Sequence, residues 1–255
     1  MPARPNAPLP TRLVKFDLNS DLGENEPRKL TAALMRYITS ANIACGGHAG
    51  DVESMRTTVD LSLKHKVHIG AHPGLPDRAN FGRGSVKISV ADFKTLVLQQ
   101  ISALERIVHD AGATLHHIKL HGALYHMVEE KPVVCRAYLE MVQEFWPNVI
   151  IFSFAGGTVA KAAAKNQIPS WGEGFLDRGY YDKQRLVRRG EPGSLLTMEE
   201  FSARLNSLRE KGTITAVFPE QSLRLAAKTW CIHSDTPDAL QFAKLAREKL
   251  ISSES

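Results

Sequence analysis

The sequence lacks the local signatures of several common protein classes. Its 255 residues include three cysteines and no CxxC pair, which argues against a disulfide framework or a thiolate zinc site and suits reduced thiols in a cytoplasmic protein. No apolar run approaches the length that spans a membrane. The chain also has no GxGxxG or GxxxxGK[ST] loop and no HExxH pair, so neither a nucleotide fold nor a local metal motif is indicated.

An excess of charge of one sign is missing too. The 32 basic and 27 acidic residues leave a net charge of +5, and the dense basic cluster RLVRRG (185–190) is too short to indicate nucleic-acid binding. That cluster is either a solvated loop or an anchor for an anionic substrate or partner. The proline-rich start has no apolar segment of the signal-peptide kind. We therefore expect a single domain over residues 13–250, with flexible tails at 1–12 and 251–255.

What the sequence does contain is a regular alternation of short apolar runs and helical patterns. Such alternation predicts parallel strands joined by crossover helices. With seven or eight units and no linker, we expect an α/β fold of the (β/α)-barrel type, ahead of a doubly wound sheet. The candidate strands are LVKFDL (13–18), ANIAC (41–45), VHIGAH (67–72), LHHIKLH (115–121), VIIFSF (149–154), IPSWGE (168–173), ITAVF (214–218) and WCIHSD (230–235).

Three helices carry recognisable start signals. Apolar residues at three- and four-residue spacing predict an amphipathic helix over 89–111, with Ser89 as its N-cap. Thr197 and Glu200 form a capping-box pattern that opens a helix to about Lys211. Thr236-Pro237 predicts an N-cap and a first-turn proline for a last helix ending near Leu250.

Polar residues follow the predicted strands at their C-terminal ends. In a barrel these ends open onto one face, where such folds place their chemistry, so we expect the side chains to converge there. The candidates are Asp17, Asn19, Asp21, Glu24, His48, Asp51, His72, Asp77, Arg78, Lys119, His121, Asp177, Arg178 and Asp235.

Two chemistries are open to this set. Two histidines and a carboxylate, such as His48, His72 and Asp21, could hold a divalent metal that acidifies a bound water. The same side chains without metal could activate water by acid–base catalysis. Spacing along the chain does not choose between these, because the groups come from different strands.

Local context separates the remaining candidates. Cys45 ends an apolar strand, where a cysteine is more often a small buried hydrophobe than a nucleophile. Alternation in LHHIKLH predicts that Lys119 and His121 face the barrel interior and that His116 is structural. Gly46 and Gly47 either permit a turn or bring backbone N–H groups close to a substrate oxygen.

Six motifs together resemble the LamB/YcsF family: DLNSDLGE (17–24), SANIACGGHAGD (40–51), IGAHPGLPDRANFGRG (69–84), HIKLHGALYH (117–126), DRGYYDKQRLVRR (177–189) and CIHSDTP (231–237). The family includes the A subunit of the ATP-dependent 5-oxoprolinase and fungal lactam-utilisation proteins. The resemblance covers about residues 13 to 250 in order and implies a seven-stranded (β/α) barrel similar to the glycoside hydrolase/deacetylase barrel. The chain departs from the usual pattern at Gly47 (phenylalanine expected), Leu120 (proline) and Ser234 (glycine). The first change is expected to widen the pocket beside His48.

The resemblance implies hydrolysis of 5-oxo-L-proline to L-glutamate, coupled to ATP hydrolysis in a complex with B and C subunits. Because no P-loop is present, ATP is expected to bind mainly to those partners. The catalytic candidates are Asp21, His48, His72, Lys119, His121 and Asp235. The substrate-binding candidates are Asn19, Glu24, Gly46, Gly47, Asp51, Asp77, Arg78, Asp177 and Arg178.

Two other functions stay open at this point. One is a metal-dependent deacetylase or amidohydrolase that acts alone. The other is a non-catalytic subunit that delivers a lactam to its partners. The substrate is also open, since no residue uniquely recognises the ring carboxylate of 5-oxoproline over an unsubstituted lactam such as 2-pyrrolidinone.

Overall fold

Seven parallel strands close a barrel, which confirms the predicted fold class. The computed structural model describes residues 16–85, 87–218 and 220–251. The predicted tails at 1–12 and 251–255 lie outside these residues, apart from Ile251. The barrel strands are β1 (Asp17–Leu22), β2 (Ser40–Ala44), β3 (His68–His72), β4 (His117–Lys119), β5 (Ile150–Phe154), β6 (Ser170–Phe175) and, after four short strands defined below, β11 (Thr229–Cys231).

Helices cover the outside of this barrel, as crossover connections require. They are α1 (Arg28–Leu34), α2 (Val52–His65), α3 (Val90–Asp110), α4 (Gly122–Glu130), α5 (Pro132–Phe145), α6 (Thr158–Lys165), α7 (Met198–Lys211) and α8 (Ala239–Ala246). The barrel closes where β1 pairs with both β2 and β11, so that Asn19 lies beside Ser40 and Cys231. No helix of the described ranges is both long and apolar enough to cross a membrane.

The first strand differs from the sequence-based prediction. It runs from Asp17 to Leu22, so Asn19 and Asp21 lie within the strand and not in the loop after it. All six of its residues are buried, including the polar ones. These polar groups tolerate burial because neighbouring strands supply hydrogen bonds: Asn42 Nδ2 donates to both Asn19 Oδ1 and Asp21 Oδ1 at 2.7 Å.

The barrel interior is polar at the level of β4. His117 is fully buried, and its Nε2 lies 2.7 Å from Asn42 Oδ1, reaching from β4 across β3 to β2. Gly70 makes this reach possible, because a Cβ at that position would collide with the His117 ring. His117 and Lys119 thus both face inward, as their alternation predicted. His116 is half-buried and stacks on His68, with the ring centroids 4.0 Å apart.

One predicted strand does not belong to the barrel. Ile214–Thr215 (β9) pairs antiparallel with Ser222–Leu223 (β10) in a small separate sheet, and a second hairpin joins β7 (Tyr180–Asp182) to β8 (Arg185–Leu186). The expected strand 214–218 also ends early, with Phe218 59% exposed. The segment between β6 and β11 is therefore an insertion at the barrel mouth rather than another β/α unit.

Two predicted helix starts are confirmed, and the third is wrong. Ser89 caps α3 by accepting from the Asp92 N–H, and Thr197 forms a complete capping box with Glu200. Thr236 does not cap the last helix, because its hydroxyl donates to buried Asp177 at 2.6 Å. Helix α8 consequently begins at Ala239 and passes into a π-helical turn, Arg247–Ile251.

Candidate active site

A cavity of about 900 Å³ opens at the C-terminal ends of the barrel strands. Its volume lies at the upper end of the range for small-molecule sites, so it is large for a single lactam ring. Its floor carries buried polar groups: Asp21, His72, Lys119 and His121. Its rim is cationic, with Arg83, Arg178, Arg185, Arg188, Arg189 and Lys161 among the lining residues. The expected convergence of polar side chains on one face is therefore found.

Lys119 is the central cation of the floor. Its Nζ lies 2.8 Å from Asp21 Oδ1 and 2.9 Å from Glu173 Oε1, and the three side chains are at most 5% exposed. Cys231 Sγ is a further neighbour, at 3.2 Å. Burial alone would lower the pKa of Lys119, but the nearby Asp21, Cys231 and Glu173 raise it well above its ordinary value. Lys119 is thus a fixed positive charge aimed at the cavity.

Asp21 remains ionised beside this lysine. Burial favours its neutral form, yet the charges of His72 and Lys119 outweigh that effect and hold the pKa of Asp21 below its ordinary value. Its second oxygen, Oδ2, lies 3.5 Å from His72 Nε2. Asp21 therefore links the lysine centre to the histidines.

Glu24 is the hub of the histidine cluster. Its Oε1 lies 2.8 Å from His48 Nε2, 3.2 Å from His121 Nδ1 and 3.4 Å from His72 Nε2. Burial would raise the pKa of Glu24, but hydrogen bonding to His121, His48 and His72 lowers it well below its ordinary value. Burial also lowers the pKa values of His48 and His121, which favours their neutral forms. Predicted as a substrate ligand, Glu24 instead organises the histidines.

Backbone carbonyls orient two of these rings. His72 Nδ1 lies 2.7 Å from the Lys119 carbonyl oxygen, and His121 Nε2 lies 2.8 Å from that of Phe81. A carbonyl oxygen can only accept, so each of these nitrogens carries a proton. The opposite nitrogens, His72 Nε2 and His121 Nδ1, are left to face each other at 3.0 Å.

Asp235 lies outside this buried cluster. Its carboxylate is about one-third exposed and pairs with Arg83 at 2.9 Å and Arg189 at 3.1 Å. It therefore belongs to the cationic rim of the cavity. Its predicted catalytic role is untested, and its position fits the ordering of rim arginines better than acid–base chemistry at the floor.

The glycine turn after β2 is held by its own contacts. The Gly46 N–H donates to the Ala49 carbonyl, so it is already used within the turn. Arg78 braces the same turn by donating to the Gly46 and Gly50 carbonyls. Asp51 is exposed and caps α2 through the Ser54 N–H, which confirms it as a helix start but directs its carboxylate to that cap.

Gly47 does not widen the pocket, contrary to the sequence-based expectation. A Cβ on Gly47 would collide with the Gly74 carbonyl oxygen and the Gln100 amide. Gln100 bonds both the N–H and the carbonyl of Gly74, at 3.1 and 2.8 Å. The missing side chain is therefore replaced by Gln100 on the α3 side of the turn.

Other predicted substrate ligands act within the pocket walls. Asp177 is fully buried and bonds the His233 backbone N–H and ring Nδ1, each at 3.0 Å. Arg178 lines the cavity and donates to the carbonyls of Ser194 and Val187, at 2.9 and 2.7 Å. Asp77 accepts from the Asn80 side chain at 2.9 Å. These contacts assign structure to all three residues and leave substrate binding by them a prediction.

Sequence reasoning missed two residues of the site. Glu173 is fully buried on β6 beside Lys119, and His233 lines the cavity and stacks on Phe175, with ring centroids 5.5 Å apart. Both follow the rule that polar residues near strand ends converge at the barrel mouth. Glu173 ends the candidate strand IPSWGE, and His233 opens the HSD motif, so the same rule could have found them.

Cys45 is wall and not nucleophile, and its removal is expected to change activity little. It is 4% exposed, its Sγ donates to the Ile43 carbonyl, and burial raises its pKa to about 12. Cys45→Ala should leave kcat within about twofold and lower the free energy of unfolding by roughly 1 kcal/mol, as for loss of a small buried group. Steady-state kinetics and urea unfolding check this, and loss of turnover in a folded variant would restore the nucleophile hypothesis.

The comparisons with known proteins agree with this geometry. The LamB/YcsF family model matches residues 16–255. This chain belongs to the LamB/YcsF family. It is 39% identical over 241 residues to the 5-oxoprolinase A subunit of Pyrococcus furiosus, covering 93% of this chain and 94% of that one. It is 37% identical over 234 residues to the 5-oxoprolinase A subunit of Bordetella pertussis, covering 90% and 92%.

A solved structure of a similar protein supports the fold. The lactam utilization protein from Thermus thermophilus superposes with a TM-score of 0.83 at 33% identity, covering 92% of this chain and 96% of that one. The family membership inferred from the six motifs is thus confirmed. The relatives are named as A subunits, which also supports a role within a multi-subunit lactam-hydrolysing enzyme.

Proposed function

We propose that this chain is the A subunit of an ATP-dependent 5-oxoprolinase that converts 5-oxo-L-proline to L-glutamate together with B and C subunits. The observation that carries the proposal is the pairing, on one cavity floor, of a buried lysine with a carboxylate–histidine cluster. Lys119 Nζ and the Glu24–histidine cluster are joined through Asp21, which contacts both. The names of the relatives supply the lactam.

The ring amide is the chemical obstacle in this reaction. A five-membered lactam is a stable amide, and water attacks its carbonyl slowly. Phosphorylation of the carbonyl oxygen by ATP activates that carbon. Water then adds to it, the ring C–N bond breaks, and the nitrogen takes a proton. This leaves an acyl phosphate, which a second water hydrolyses to glutamate and phosphate.

The floor residues suit the hydrolytic part of this sequence. A neutral histidine of the Glu24 cluster can accept the proton of the attacking water, and the ionised Glu24 stabilises the imidazolium that forms. The Lys119 ammonium provides a preorganised positive charge for oxygen that becomes negative. Because the chain has no P-loop, we place ATP binding mainly on the partner subunits.

The cationic rim fits an anionic group on the bound molecule. Arg185 and Arg188 line the cavity, and Arg178 turns toward it from a buried position. Guanidinium groups bind carboxylate and phosphate oxygens in pairs. The rim would therefore hold the ring carboxylate or the transferred phosphate, and it explains a cavity larger than the ring alone.

The direct test is glutamate release from 5-oxoproline by the purified chain with and without B and C subunits and ATP. We expect glutamate only when all components are present. In the complete system, 2-pyrrolidinone is the control for recognition of the ring carboxylate, and it should react poorly. Glutamate formed by the chain alone without ATP would contradict the proposal and indicate an amidohydrolase. Unchanged turnover with His121→Ala would indicate a protein that only binds the lactam.

A further inference from the structure

Two histidine nitrogens of the site face each other without a proton between them. His72 Nε2 and His121 Nδ1 lie 3.0 Å apart. The opposite nitrogen of each ring donates to a backbone carbonyl, that of Lys119 or Phe81, so both facing nitrogens of the neutral rings are acceptors. Two buried lone pairs at this distance repel each other unless a cation lies between them. Carbonyl partners that fix the ring tautomers in this way are typical of metal-bound histidines.

A carboxylate completes a three-atom set around the same point. Glu24 Oε1 lies 3.4 Å from His72 Nε2 and 3.2 Å from His121 Nδ1. Ligand atoms bound at 2.0–2.2 Å to a tetrahedral ion lie roughly 3.3–3.6 Å from one another. The three observed separations, including the 3.0 Å between the nitrogens, are close to that spacing. The side chains are thus arranged as ligands before any ion is added.

His48 has a different part in this arrangement. Its Nε2 lies 2.8 Å from Glu24 Oε1, a normal hydrogen-bond distance, and its Nδ1 is buried without a hydrogen-bond partner among the described residues. Donation from Nε2 therefore orients the Glu24 carboxylate. It also leaves His48 behind the cluster, while His72 and His121 line the cavity.

The local charge balance points the same way. The carboxylates of Asp21, Glu24 and Glu173 are all buried at the floor, and the lysine that contacts this group is Lys119 alone among the described residues. Three negative charges against one positive charge leave two uncompensated. Buried charges require a counter-charge, and a divalent cation supplies it.

We propose that Glu24, His72 and His121 bind one divalent cation, with a fourth position open to the cavity and His48 positioning Glu24. Two histidines and one glutamate suit Zn²⁺ in a catalytic site. This set replaces the sequence-derived trio His48, His72 and Asp21. The contribution of the ion to lactam hydrolysis rests on the proposed function, whereas its binding does not. Such an ion would supply an acidified water at the cavity floor.

Metal binding is tested on the isolated, tag-free chain, with Zn²⁺ and Co²⁺ as the probes. After reconstitution and dialysis we expect one equivalent of Zn²⁺ by elemental analysis, and for Co²⁺ the intense visible absorption of a four-coordinate ion. His72→Ala and His121→Ala should weaken Zn²⁺ binding, measured by chelator competition, by more than about 100-fold. His48→Ala should weaken it by about 10–100-fold, the effect of removing an outer-shell partner.

His109→Ala is the matched control, because His109 lies on the surface of α3 with its side chain 85% exposed. It should bind Zn²⁺ like the wild type. Circular-dichroism melting identifies any variant that fails to fold, and Glu24→Gln then provides a substitution of nearly equal shape that should also lose the ion. Substoichiometric metal in the folded wild type would overturn the proposal. So would full binding by His121→Ala, which would place the ion elsewhere, for instance at Asp21, Cys231 and His233. Both readouts are independent of lactam hydrolysis.

Discussion

Replacement of Lys119 by methionine is expected to lower the free energy of unfolding by about 3–5 kcal/mol and to abolish turnover. The change leaves Asp21 and Glu173 buried without the ammonium that lies 2.8 and 2.9 Å from their oxygens. Removing one partner of a buried ion pair carries a cost of this size because the remaining charge stays desolvated. Urea unfolding followed by circular dichroism measures the stability loss, and glutamate release in the complete system measures turnover.

A second substitution separates charge from packing. In Lys119→Met/Glu173→Gln one of the two stranded charges is removed, so the double variant should regain part of the lost stability, with a coupling energy of roughly 0.5–3 kcal/mol. Lys165→Met on the surface of α6 is the matched control and should change stability by less than about 0.5 kcal/mol. If Glu173→Gln does not restore stability, the loss at Lys119 is one of packing and the ion-pair interpretation is wrong.

Glu24→Gln is expected to lower kcat by about 10²–10⁴-fold. Glu24 is the anion that contacts His48, His72 and His121, and an amide cannot compensate an imidazolium that forms when water loses its proton. The measurement is kcat in the complete system with B and C subunits, ATP and 5-oxoproline. Glu144→Gln on the exposed face of α5 is the control and should react like the wild type. Wild-type kcat in a folded Glu24→Gln variant would remove the histidine cluster from the chemistry.

The same variant has a predicted pH signature in stability. The pKa of Glu24 lies well below the ordinary value of 4.5 in the folded protein. A depressed pKa contributes stability that is complete above the unfolded value and is lost as the pH falls through the folded one. The wild type should therefore lose stability more steeply than Glu24→Gln as the pH falls below about 4.5, measured by urea unfolding at each pH. Parallel pH profiles would show that the carboxylate is not charge-stabilised.

The sequence by itself determined the features that depend on short-range contacts. The caps at Ser89 and Thr197 involve residues three positions apart, so the pattern alone fixed where α3 and α7 begin. Alternation within β4 likewise placed His117 and Lys119 on the inner face. The succession of strands and helices was enough to predict the barrel and the face on which the polar residues meet.

Only the tertiary structure decided which polar groups became partners. Asp17, Asn19 and Asp21 read as the end of a strand or a loop, yet the barrel buries them in β1 because Asn42 and other neighbours satisfy their hydrogen bonds. Thr236 reads as a helix cap, but Asp177, 59 residues away, takes its hydroxyl. In both cases a hydrogen bond distant along the chain outweighs the local preference.

The division of the site into a buried floor and a charged rim also arose from folding. Asp21, Glu24 and Asp235 are indistinguishable as acidic residues near strand ends in the sequence. The barrel buries the first two beside Lys119 and the histidines, and leaves Asp235 one-third exposed against two rim arginines. A carboxylate's role depends on its burial and on the charges within a few ångströms. Those are fixed by strand register and barrel closure, which bring together residues more than a hundred positions apart.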